Sequence, residues 1–141
     1  MSNRDNPKIG KQFQEHVCAL MQEHLQEDFV LEKPIPIGQP PKMHRFDCVS
    51  INGGIVIECK CYTWTNTGNI PSAKMMGLNE AVFYMSYLPP ETRKIIAINK
   101  SVYSNKTESF AEYYCRIDGH LLNGIEIVEV DDLGTIKWIK H

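Results

Sequence analysis

Three side chains have the types and spacing needed for phosphate chemistry: Asp47, Glu58 and Lys60. Glu58 and Lys60 sit two residues apart in INGGIVIECKCYTWT, residues 51–65, within a largely apolar run. Strand residues two apart point to one face, so a carboxylate and an ammonium lie side by side. Asp47 precedes them across Asn52-Gly53, a hairpin turn signal. Two carboxylates brought together repel unless a cation lies between them. Oxygen ligands of this kind suit Mg²⁺, and Mn²⁺ accepts the same set. A neighbouring lysine can hold or activate an attacking water and offset negative charge developing on phosphate. Cation, water and lysine in one cleft are what phosphodiester hydrolysis requires.

The elements that must position them form a hairpin. If Asn52-Gly53 is a two-residue turn, Asp47 falls directly opposite Glu58, with Cβ atoms roughly 4.5–5.5 Å apart. If Gly53-Gly54 is the turn, Asp47 faces Lys60 and the trio still shares a face. An odd loop length or a bulge separates them. The same residues also suit a half-exposed hairpin, with Glu58 and Lys60 in solvent and Asp47 paired to Arg45 or Lys60. The neighbours Ile55, Val56, Ile57 and Cys59 favour a central strand over a wet edge.

Around this hairpin the sequence predicts one α/β domain spanning residues 1–141. Ile9 to Gln26 has an apolar stripe of Phe13, Val17, Leu20 and Met21 at helical spacing. Phe29 to Ile37 reads as a strand, and Pro34 and Pro36 mark it as an edge. Arg45 to Ile51 and Gly54 to Trp64 are the hairpin strands. A second helix follows Ser72, a plausible cap, carries Met75, Leu78, Val82 and Met85, and stops before Pro89-Pro90. Lys94 to Asn99 contains IIAI, the pattern of a strand buried on both faces. Thr107 to Asp118 is a third helix, ending at Gly119. Ile125 to Val130 is a strand, and Leu133 to Ile139 is a short final strand or a tail. The order αβββαβαβ implies a mixed central sheet flanked by helices.

The 141 residues are 43% hydrophobic and 23% charged, as in soluble globular proteins. No apolar run approaches the roughly 20 residues that cross a bilayer. The polar start MSNRDNPKIGKQ lacks a signal-peptide pattern, so a cytoplasmic protein is expected. The five cysteines include no Cys-x-x-Cys pair and read as small core residues. A metal or redox site on Cys48, Cys59 and Cys61 is a rival reading. The net charge of −2 is unevenly placed: residues 33–106 hold nine Lys and Arg against four acids. A basic middle section suits a phosphate-facing surface, and scattered solvated charges give the same count.

With FDCVS (46–50) on one strand and ECK (58–60) on the next, the chain resembles the PD-(D/E)XK nuclease superfamily, which has the restriction endonuclease-like fold. The resemblance covers most of the element order. Phe46 stands where the family's name has proline. The resemblance implies a Mg²⁺-dependent endonuclease, most often acting on DNA. Asp47 and Glu58 would be metal ligands, the Cys59 carbonyl a further ligand, and Lys60 the residue acting on the water. It also implies a site residue on the first helix. Gln14 follows Phe13 in GKQFQEHV and flanks the stripe, whereas Glu15 points away from it.

Arg45 precedes Asp47, as does His44, and both are placed to line the cleft. Thr65 and Asn66, in the loop TWTNTGN after Lys60, are placed to meet phosphates or base edges. Lys74 lies in the first turn of the second helix, where anions bind. The alternative function is a non-catalytic nucleic-acid-binding module on the same fold. A homodimer is a further expectation, because one site cuts one strand and two-fold symmetry is the commonest oligomer. The end LGTIKWIKH offers Trp138 as a dimer surface or as a cap on its own sheet.

Overall fold

A computed structural model describes residues 6–64, 67, 69, 71–103 and 105–141. Among these residues the chain forms helix α1 (Asn6–Leu25), strands β1 (Phe29–Ile37), β2 (Lys42–Ser50) and β3 (Ile55–Lys60), and helix α2 (Ser72–Met85). Strand β4 (Arg93–Asn99), helix α3 (Phe110–Asp118), a 3₁₀ turn (Gly119–Leu121), and strands β5 (Ile125–Val130) and β6 (Ile136–Lys140) follow. The expected order is present, and the chain's end is a sixth strand rather than a tail.

The six strands form one mixed sheet in the order β1-β2-β3-β4-β5-β6. The β1-β2-β3 meander is antiparallel, β3, β4 and β5 run parallel, and β6 returns antiparallel. Helix α1 covers one face: Phe13, Val17, Cys18 and Met21 pack on Cys48, Ile57, Ile95, Ala97, Val128 and Val130. Helices α2 and α3 cover the other, on Phe46, Val49, Val56, Ile96, Ile98 and Ile127. Ile95 to Ile98 are fully buried because both faces of β4 are covered. Pro34 and Pro36 lie on the edge strand β1, where a missing N–H is tolerated. Among the described residues no helix is long and apolar enough to cross a membrane.

Two helix starts differ from expectation. Pro71 occupies the N-cap of α2, and Ser72 is already helical with no side-chain cap. Helix α3 begins at Phe110 rather than Thr107, because Ser109 and Glu112 form a reciprocal capping box. The hairpin turn is also wider than two residues. Strand β2 ends at Ser50 and β3 starts at Ile55, with Gly53 at φ +76°. Asn52 Oδ1 accepts from the Gly54 N–H and the Ser50 hydroxyl, and Ser50 Oγ accepts from the Ile55 N–H. The wider loop keeps the register of the Asn52-Gly53 alternative, because Cys48 pairs with Ile57 and Val49 with Val56.

Candidate functional site

Continuing that register places Asp47 opposite Glu58. There the backbone ladder between β2 and β3 gives way to side chains. The Asp47 N–H donates to Glu58 Oε1 at 2.9 Å, and the Cys59 N–H donates to Asp47 Oδ2 at 2.8 Å. Each carboxylate accepts an N–H from the opposing strand, so the pair is fixed by two reciprocal hydrogen bonds. Side-chain parity also reverses here. Cys48 lies toward α1, whereas Phe46, His44 and Ile35 lie toward α2. On β1 the reversal falls on Glu32, opposite Asp47, whose φ of +53° is unusual for a residue with a side chain. Asp47 therefore sits at a twist between the two faces, where its carboxylate reaches the β3 backbone.

Glu58 is 7% exposed, and Asp47 is half-buried. The ion pairs among the described residues are Arg93–Glu126, Arg116–Glu108 and Lys137–Glu112, all elsewhere. The paired hairpin expected if these charges were structural is thus absent among the described residues. Lys60 instead points its amine over the Tyr62 ring, 5.9 Å from the centroid. Burial, reinforced by the Asp47 charge, pushes the Glu58 carboxyl up to about 7. Burial also raises Asp47; the Cys59 N–H, Lys60 and His44 oppose this, and Glu32 adds to it. Two adjacent carboxyls in no ion pair among the described residues are the electrostatic setting of a cation site.

The donor set fits Mg²⁺ or Mn²⁺ rather than zinc. One oxygen of each carboxylate is committed to a backbone N–H, and the second has no hydrogen-bond partner among the described residues. No group of three or more His, Cys, Asp and Glu side chains among the described residues could hold a metal ion. Two carboxylates with several retained waters are an ordinary Mg²⁺ arrangement, whereas zinc calls for more protein ligands.

Lys60 and Lys74 line one cleft of about 600 Å³ at the C-terminal ends of β3 and β4, with Cys59, Tyr62, Asn99 and the start of α1. Asp47 and Glu58 do not line it. Lys74 lies in the first turn of α2, as expected, and its amine donates to the Thr63 carbonyl at 2.6 Å. Gln14 is buried, one helical turn beyond the cleft-lining Gly10, whereas Glu15 is exposed. Arg45 is exposed on β2, two residues before Asp47. Thr65 and Asn66 lie outside the described residues. Cys48 is fully buried beneath α1 and Cys59 packs against that same core, where Cys18 and Cys48 share a hydrogen bond that, with burial, raises the Cys18 thiol.

The sequence pattern missed Glu32, Tyr62 and Asn99. Glu32 has no local signal, since its proximity to Asp47 depends on β1-β2 pairing. Tyr62 was readable as the next residue in phase after Lys60. Trp138 caps its own sheet: its ring packs under Arg93 at 5.4 Å and its N–H donates to His24. Compared with known proteins, the chain matches no family model, no curated protein and no solved structure.

Proposed function

We propose that this chain is a metal-dependent endonuclease with a restriction endonuclease-like fold, acting on DNA. The observation that carries the reading is the Asp47–Glu58 pair: adjacent, with Glu58 buried and Asp47 half-buried, both raised, and in no ion pair among the described residues. A fold does not keep such a pair for stability alone, since like charges facing across a sheet destabilise it. Asp47, Glu58 and the Cys59 carbonyl would hold Mg²⁺ or Mn²⁺. The ion, when bound, supplies charge neutralisation for phosphate and a more acidic water.

The chain's own residues supply the rest. The reciprocal hydrogen bonds hold both carboxylates in place before substrate arrives, which removes the reorganisation a mobile pair would need. Lys60, in no ion pair among the described residues, borders the cleft next to the carboxylate pair, and its amine would act on the attacking water or the developing phosphate charge. Lys74 adds a second cation on the same cleft. Gln14 is packed at the flank of α1 as a positioning residue. Two copies acting together on a duplex complete the proposal, because one site serves one strand.

The test is nicking of supercoiled plasmid with Mg²⁺ or Mn²⁺ by wild type, Asp47→Asn, Glu58→Gln and Lys60→Met. Each substitution is expected to lower the rate by at least about 100-fold, the scale of losing a preorganised charge-stabilising group, with the circular dichroism spectrum unchanged. Wild-type activity in all three variants would remove the assignment. DNA binding without any cleavage would leave the binding-module alternative.

A further inference from the structure

We propose that the outer half of the β1-β2 hairpin is a ribbon that enters the major groove of duplex DNA. This deepens, and rests on, the nucleic-acid reading above. From Lys33 to Phe46 the two strands pair with each other, whereas β3 joins β2 only at Cys48 and Val49. Past the reversal at Asp47 the hairpin therefore leaves the sheet as a two-stranded ribbon. One face is anchored: Ile35 and Ile37 pack on the core, and the His44 ring stacks on Tyr84 of α2 at 4.0 Å and 13°. The other face, Pro34 and Pro36 with their partners Arg45 and Met43, is exposed.

The charge on this ribbon selects the partner. Residues 33–45 contain Lys33, Lys42 and Arg45 and no acid, within a chain of net charge −2. None of the three side chains forms an ion pair or a side-chain hydrogen bond among the described residues. Arg45 stands on the exposed face, whereas Lys33 and Lys42, paired with Phe46 and Ile37, are in phase with the anchored one. The ribbon as a whole thus carries three cations without partners among the described residues, which makes it complementary to a polyanion. Its free edge is closed to another sheet, because Pro34 and Pro36 share a phase on an edge strand and offer no N–H there. That argues against a protein partner adding a strand. The width argues for a groove: paired strands lie about 4.8 Å apart, and a ribbon with its side chains fills a major groove about 12 Å wide. Arg45 is two residues from Asp47, so the ribbon and the carboxylate pair engage the same stretch of duplex.

The experiment measures binding of a fluorescently labelled duplex, and of one of its strands alone, by anisotropy in EDTA across a salt series. Wild type is compared with Lys33→Ala, Lys42→Ala, Arg45→Ala and the triple variant, with Lys42 and Arg45 exposed and Lys33 half-buried, and each is checked for native circular dichroism. Each single change is expected to weaken duplex binding several-fold and to lower the log–log salt slope by about 0.9 per lost phosphate contact. Binding of the single strand should change far less. Methyl green, a major-groove ligand, should displace the protein, and distamycin, a minor-groove ligand, should not. Equal duplex binding by wild type and the triple variant, displacement by distamycin alone, or no duplex binding by wild type overturns the inference. Cleavage of the same duplex in Mg²⁺ separates the two readings. Cleavage with ribbon-independent binding sinks the ribbon alone, and ribbon-dependent binding without cleavage sinks the nuclease alone.

Discussion

At the scale of the residue, Glu58 couples the site to stability. Its carboxyl titrates near 7 in the fold against an ordinary 4.5, so between those values the folded chain holds a proton that the unfolded chain releases. Stability without metal must therefore fall as pH rises from about 4.5 to 7 and level off above. The shift corresponds to about 3 kcal/mol, shared with Asp47. Glu58→Gln removes the titration and keeps an oxygen to accept the Asp47 N–H. Urea unfolding in EDTA at pH 5 and pH 8 is expected to show the variant more stable than wild type at pH 8, with the gap closing at pH 5. A wild-type curve that rises with pH would show that Glu58 is stabilised as an anion. Alanine is a poorer probe than the spacing alone suggests. Asp47→Ala relieves like-charge repulsion, but it also strands the Cys59 N–H, at a cost of about 1–3 kcal/mol.

At the scale of the element, α2 and the segment after β3 are fitted together at Gly77. A Cβ there would lie 2.6 Å from the Tyr62 hydroxyl, with the next ring atom at 3.4 Å. Tyr62 also lies beneath the Lys60 amine, so the clash reaches the cleft. Gly77→Ala is expected to destabilise the fold by about 1 kcal/mol, because the overpacking of about 1–3 kcal/mol exceeds the helix-propensity gain of about 1 kcal/mol. Adding Tyr62→Phe removes the clashing oxygen and should bring the double variant to wild-type stability or above; thermal melts of the four proteins check this. Much at this scale was legible. That Asp47, Glu58 and Lys60 share one hairpin followed from the turn signal, which left Asp47 facing either Glu58 or Lys60; the observed register is the first of these. The α3 start is also written in the sequence, as the capping pattern Ser109-x-x-Glu112. The parity reversal at Asp47 was not readable. It rests on a left-handed Glu32 within β1, a residue type that does not announce that conformation.

At the scale of the whole molecule, the sheet has a different device at each edge. Prolines blunt β1, and β6 caps β5 with Trp138 packed on one core and Ile139 on the other. Deleting residues 135–141 uncovers the β5 edge and its apolar neighbours. The truncated chain is expected to aggregate at micromolar concentration, where light scattering of the full chain stays flat. Trp138 is held by Arg93 and His24 of its own chain, so its packing is accounted for without a dimer. Sedimentation of Trp138→Ala beside wild type should show equal assembly, whatever its stoichiometry, and a loss of assembly would return the terminal strand to the interface.

The two backbone hydrogen bonds that replace the ladder at the carboxylate pair make the site observable without a substrate. Each amide proton at Asp47 and Cys59 points at a carboxylate oxygen rather than a carbonyl. Its chemical shift and its exchange with solvent follow the charge on that oxygen. A ¹⁵N-labelled sample thus carries two reporters in the polypeptide itself. Raising the pH through 7 should move the Asp47 amide resonance as Glu58 ionises, and titrating Mg²⁺ should move both resonances. The state of the candidate site can then be followed in a protein that is doing no chemistry.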